Sequence, residues 1–132
     1  MRYLQFSQWL ENIPSLIGTH PTEVYFEEVK RHLGTNAAHV YGGFLATLTA
    51  WCEKESIPYQ GVGISTIKRH ATGKGNASKQ EVIDAVKAKG YSPHDDNEAD
   101  AIALLECVRS RRYRRMGAKE KSNLKECAFS LG

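Results

Sequence analysis

Apolar residues in this chain recur with two different periods, and the changes of period divide it into elements. Leu4, Trp9 or Leu10, Ile13 and Leu16 fall at helical spacing across 3–17, with Pro14 placed to end or kink that helix. The run TEVYFE at 22–27 is short, β-branched and aromatic, which predicts a strand, and the polar stretch EVKRHLGT at 28–35 reads as a loop. From Asn36 the helical period returns, with Ala37, Val40, Tyr41, Phe44, Leu48 and Trp51 on one face and Thr35 or Asn36 as N-cap. Gly42 and Gly43 lie inside this helix, where each costs up to about 1 kcal/mol relative to alanine. Close approach of another backbone, from a second helix or a second subunit, would explain them.

IPYQGVGI at 57–64 predicts a second strand, after which Ser65 or Thr66 should cap a short helix ending near His70. After the loop ATGKGNA, Ser78 and Glu81 have the S-x-x-E spacing of a capping box, opening a helix to Lys89 with Gly90 as its C′ residue. Pro93, Asp95 and Asp96 introduce a last long helix whose apolar face is Ala99, Ile102, Ala103, Leu105 and Val108. Strands alternating with helices imply an α/β fold with parallel pairing. Two strands make a poor sheet, since three or more are normally needed for independent stability. The reading therefore expects a missing part, placed before residue 1.

Composition sets the outer bounds. At 132 residues, 41% hydrophobic and 25% charged, the sequence is that of one globular domain. No apolar run approaches the ~20 residues of a membrane span, and the N-terminus lacks the apolar core of a signal peptide. A cytosolic location is the default. Cys52, Cys107 and Cys127 are odd in number and show no CxxC, so neither a disulfide framework nor a zinc site is expected, and Cys52 and Cys107 read as small core residues. The net charge of +3 is unevenly spread. Residues 109–126 hold eight Lys/Arg against two Glu, whereas residues 1–108 hold ten against thirteen Asp/Glu. A basic end on an acidic body fits a nucleic-acid partner and equally a solvated, frayed terminus.

Two groups of residues carry chemistry. Glu27 sits at the carboxyl end of a predicted parallel strand, where α/β folds place their sites. Asp95, Asp96, Glu98 and Asp100 open the last helix, and the separations of Asn97 and Asp96 from Asp100 put each on its face. Carboxylates converging from a strand end and a helix start repel unless a divalent cation lies between them, and oxygen-only ligands favour Mg²⁺ or Mn²⁺. Acids that merely complement the helix dipole are the alternative. The ATGKGNASK stretch lacks the G-x-x-x-x-G-K-[ST] spacing of a P-loop. Its lysines, with Lys68, could contact phosphates, or the stretch is an ordinary loop. The histidines have no metal-ligand spacing, and no nucleophile elbow is present.

In order and spacing, VYFEEV (24–29), AAHVYGGFLATLTAW (37–51), GVGISTIKRHATGKGNASKQEV (61–82) and DDNEADAIALL (95–105) resemble the RuvC-type Holliday junction resolvases of the RNase H-like superfamily, nearest in flavour to phage-type or compact bacterial members. The resemblance spans about residues 2–106. It implies an RNase H-like α/β fold and a homodimer that grips a four-way DNA junction in recombination and repair, nicking it with Mg²⁺ or Mn²⁺. The family's strand-end acid maps to Glu27 and its A-D-A acid to Asp100. Three residues earlier the family carries an aspartate or histidine, here Asn97 with Asp96 adjacent, so the implied metal set is Glu27, Asp100, Asn97 and Asp96. Two family lysines map to Lys68 and Lys79, the latter counted with the catalytic group. Lys68, Lys79, Lys74, Lys30, Arg31 and His32 form the implied DNA-binding set.

The chain departs from this pattern at its start. Family members open with a β-hairpin whose first strand ends in aspartate, whereas this sequence opens in the first helix with no acid before Glu11. The expectation is an N-terminally truncated version with a short parallel strand pair. Residues 1–108 form its core and 109–132 a basic tail, expected to be partly disordered. Whether such a chain cuts is left open. A non-catalytic branched-DNA-binding module and a related nuclease acting on RNA are the alternatives.

Overall fold

The computed structural model describes residues 2–32, 34–113 and 126–131. Five helices and three strands follow one another in these residues: α1 (Arg2–Ile17), β1 (Glu23–Glu28), α2 (Thr35–Lys54), β2 (Tyr59–Gly63), α3 (Ile64–Thr72), α4 (Lys79–Ala88), α5 (Asp96–Tyr113) and β3 (Glu126–Phe129). The strands form one sheet in the order β2-β1-β3, with both pairings parallel.

Strand alternation decides which helices meet which side chains. On one face, Val24 and Phe26 of β1 join Phe129 and Leu131 at the end of the chain. They pack with Leu10 and Ile13 of α1 and Tyr41, Leu48 and Trp51 of α2. On the other face, Tyr25 and Val62 pack with Ile67 of α3, Val82 and Val86 of α4, and Ala99, Ala103, Leu104 and Val108 of α5. The sheet is thus the middle layer of a sandwich. Glu27, two residues beyond Tyr25, belongs to the α3–α5 face and sits where the strand leaves the core.

The predicted elements are all present, and several details differ. The sheet has a third strand because 126–129 pairs alongside β1, an apolar segment within the basic end of the chain. Pro14 does not end α1, which runs on to Ile17; of its candidate core positions Leu10 and Ile13 are buried, while Leu4, Trp9 and Leu16 are exposed. Gly34 and Gly63 precede α2 and α3 without side-chain caps, so the expected caps at Thr35 or Asn36 and at Ser65 or Thr66 are not formed. The capping box of Ser78 and Glu81 is formed, and Gly90 takes a left-handed φ of 98° after α4. In α5 the buried leucine is Leu104, with Leu105 only half-buried. Cys52 and Cys107 are buried free thiols.

One of the two helix glycines meets a second helix, through a side chain rather than its backbone. A Cβ at Gly43 would land on the Tyr3 ring, so its hydrogen lets α1 approach α2, whereas Gly42 faces open space. No helix among the described residues is long and apolar enough to cross a membrane. Residues 114–125, most of the expected basic tail, lie outside the described residues.

Candidate active site at the carboxyl end of the sheet

Glu27 is held in place by its backbone as well as its strand. The Tyr41 hydroxyl, reaching from α2, donates to the Glu27 main-chain carbonyl at 2.7 Å and accepts from the Val29 amide at 3.2 Å. This double contact closes the turn after β1 and fixes where the Glu27 side chain leaves it. The Tyr41 ring in turn packs beside His32, with centroids 5.0 Å apart. Burial pushes the Tyr41 hydroxyl above its ordinary pKa, which keeps it a donor.

Two carboxyl groups converge here. Burial raises the pKa of Glu27, and the Asp100 carboxylate raises it further. Burial likewise raises Asp100, with Asp96 one helical turn earlier adding to it. Against this, the ammonium groups of Lys68 on α3 and Lys79 at the start of α4 pull both carboxyls back down, so the four side chains share one electrostatic neighbourhood. A third oxygen adjoins Glu27: the Ser130 hydroxyl, just past β3, donates to Glu27 Oε2 at 3.4 Å.

The remaining expected residues are spread around this centre. Asp96 is engaged with Lys79 Nζ at 3.1 Å, which holds its carboxyl below the ordinary range. Asn97 is exposed in the first turn of α5. Lys74 pairs with Glu81 at 2.6 Å, and Lys30 and Arg31 are exposed just past β1. Among the described residues no group of three or more His, Cys, Asp or Glu could hold a metal ion. What converges is a pair of acids, Glu27 and Asp100. The pair's chemistry still suits a hard cation, because Mg²⁺ is usually bound through one or two carboxylates plus water and substrate phosphates.

At the opposite end of the sheet, a cleft of about 500 Å³ is lined by Glu23, Tyr25, Tyr59, Arg111 and Arg112 among others. There Arg112 forms an ion pair with Glu23 and also donates to the Tyr25 hydroxyl, so its charge is already matched. The carboxyl end of the strands holds two acids whose pKa values stay raised despite Lys68 and Lys79.

Two solved structures have the same architecture. A Thermus thermophilus RuvC in complex with Holliday junction substrate superposes with a TM-score of 0.70 at 23% identity, covering 88% of this chain and 70% of that one. The fold is that of RuvC. A second Thermus thermophilus RuvC structure superposes with a TM-score of 0.63 at 19% identity, covering 85% of this chain and 69% of that one. No protein-family model and no curated protein matches the sequence. At these identities the likeness establishes a RuvC-like arrangement of helices and strands, while the chemistry must be argued from side chains.

Sequence reasoning missed two of those side chains. Tyr41 was visible only as one member of an apolar helix face, and its hydroxyl gave no sign of its target. Ser130 lies in the short run CAFS at the end of the chain, whose β-propensity was masked by the lysines before it.

Proposed function

We propose that this chain is a Mg²⁺- or Mn²⁺-dependent endonuclease domain acting on branched DNA, with the four-way junction as preferred substrate. The reading rests on one observation: Glu27 and Asp100 approach each other at the carboxyl end of a parallel sheet, with Lys68 and Lys79 beside both. The RuvC-like fold and its junction-bound neighbour favour DNA over other phosphodiesters.

In this reading Glu27 and Asp100 hold the divalent ions, with Asn97 or Asp96 as further ligand or as anchor for a bound water. When bound there, such an ion would supply Lewis acidity toward water and the leaving oxygen. The chain's own groups do the rest. Tyr41 holds the Glu27 backbone so that its carboxylate meets Asp100. Lys68 and Lys79 bind the phosphate to be cut, and Lys79 can exchange its partner Asp96 for that phosphate. Lys74, Lys30, Arg31 and His32 extend the contact along the backbone, which carries affinity without sequence information. A homodimer that presents two such sites, in a cytosolic setting, belongs to the same proposal.

The test is a labelled four-way junction incubated with the purified chain, with Mg²⁺ and with EDTA, alongside Glu27→Gln and Asp100→Asn. Nicking should require the metal and both carboxylates, while junction binding persists in both variants. Metal-dependent nicking that survives either substitution would remove that residue from the site. One observation favours a second reading, a junction-binding module that does not cut: only two acids converge among the described residues. Tight binding with no nicking at any Mg²⁺ or Mn²⁺ concentration would select it.

A further inference from the structure

The proposed function leaves β3 unused. β3 lies parallel to β1 on the side away from β2, and its register runs from Glu23 opposite Glu126 to Phe26 opposite Phe129. One step further places Ser130 beside Glu27. Alternation fixes the side on which it emerges. Cys127, Phe129 and Leu131 turn toward α1 and α2, while Ala128 packs against the α3–α5 face. Ser130 shares the parity of Ala128, as Glu27 shares that of Tyr25, so both emerge on the face that carries Asp100.

The residues flanking Ser130 hold it there. Phe129 is buried against Phe6 and Trp9, with ring centroids 6.3 and 5.9 Å away, and Leu131 is buried in the same cluster. A serine clamped between two core residues has little freedom to move, and its hydroxyl already contacts Glu27 Oε2 at 3.4 Å.

We infer that Ser130 is the third oxygen group of the Glu27–Asp100 site, and that this position on β3 is where a carboxylate would complete a divalent-cation site. This rests on the metal-site reading above. Three walls then bound the site: β1 through Glu27, α5 through Asp100 and β3 through Ser130. The third wall contributes a hydroxyl, which is neutral, so these three side chains offer a cation two formal negative charges. Because hard-cation affinity is tuned by ligand charge count, Ser130→Asp should strengthen binding.

The experiment measures Mn²⁺ binding to the full chain by electron paramagnetic resonance, without DNA, for wild type, Ser130→Asp and Ser130→Asp combined with Glu27→Gln. Ser15→Asp serves as charge control, since it lies near the end of α1, which feeds the opposite end of β1. Ser130→Asp should bind Mn²⁺ at least about tenfold more tightly than wild type, a gain of roughly 1.4 kcal/mol. The gain should vanish with Glu27→Gln and be missing in Ser15→Asp. A second variant is independent of any disturbance from the added charge: Ser130→Cys is nearly isosteric, and Cd²⁺ should give it a thiolate-to-metal charge-transfer band beyond that of wild type, reduced by Glu27→Gln. Unchanged Mn²⁺ affinity in Ser130→Asp together with no added Cd²⁺ band in Ser130→Cys would overturn the inference. Wild-type Mn²⁺ binding that depends on Glu27 and Asp100 alone would leave the metal-site reading standing while that of Ser130 fell.

Discussion

The Tyr41 hydroxyl donates to the main-chain carbonyl of Glu27 at 2.7 Å, tying α2 to the residue that carries the carboxylate. Tyr41→Phe keeps the ring against the core and removes only this contact and the one from the Val29 amide. Losing them should cost about 0.5–1.5 kcal/mol each in unfolding free energy, read from urea denaturation. Junction nicking should fall more steeply than stability accounts for, because the Glu27 side chain loses its fixed exit direction. Nicking equal to wild type at full folding would reduce Tyr41 to a structural contact.

The carboxyls of Glu27 and Asp100 are both raised above their ordinary range, first by burial and then by a neighbouring carboxylate. At neutral pH the fold therefore carries charges that the unfolded chain solvates better, and the penalty persists above the folded-state pKa values. As pH falls through those values the folded state protonates first and stability rises, until the unfolded chain protonates too near pH ~4. Without metal, Glu27→Gln and Asp100→Asn should each raise the melting temperature at pH 7. The advantage should shrink as pH approaches ~4. Destabilisation by both variants at pH 7 would contradict this electrostatic account.

Lys68 and Lys79 act on both acids, and Lys79 also pairs with Asp96. That pair is solvent-exposed, with side chains 80% and 39% accessible, so it should contribute little to stability. Lys79→Ala should accordingly leave the melting temperature nearly unchanged. Junction affinity should weaken, with the slope of log K against log salt reduced by about 0.9 for a lost phosphate contact. Lys68→Ala should do the same. Identical salt slopes for wild type and both variants would exclude them from the DNA interface.

Core packing gives a prediction that owes nothing to chemistry. Leu104 is completely buried in the cluster between the sheet and α3–α5, while its neighbour Leu105 is half-buried. Leu104→Ala should cost about 2–5 kcal/mol through lost contacts and the cavity left behind. Leu105→Ala should cost distinctly less in the same denaturation series, and equal costs would refute the assigned helix rotation.

The chain's local patterns were enough to place most elements. The TEVYFE run, the Tyr41 face, the Ser78–Glu81 box and the acid-rich start of α5 all appear at the expected places, because each is a local pattern of two or four residues repeating along the backbone. The meeting of Glu27 with Asp100 could be anticipated from a strand end and a helix start, though only as one of two open readings.

Three features depended on distant parts of the chain. Leu104 rather than Leu105 is buried because the rotation of α5 is set by the sheet it packs on, which a helical period alone cannot fix within one residue. Gly43 is explained by Tyr3, forty residues away, and not by anything in its own helix. The third strand was invisible because β-pairing is non-local: a four-residue apolar run beside a lysine-rich stretch becomes a strand only when β1 presents an open edge. Sequence thus determined the elements and the acids they carry, while tertiary pairing decided that Ser130, 103 positions from Glu27, would stand beside it.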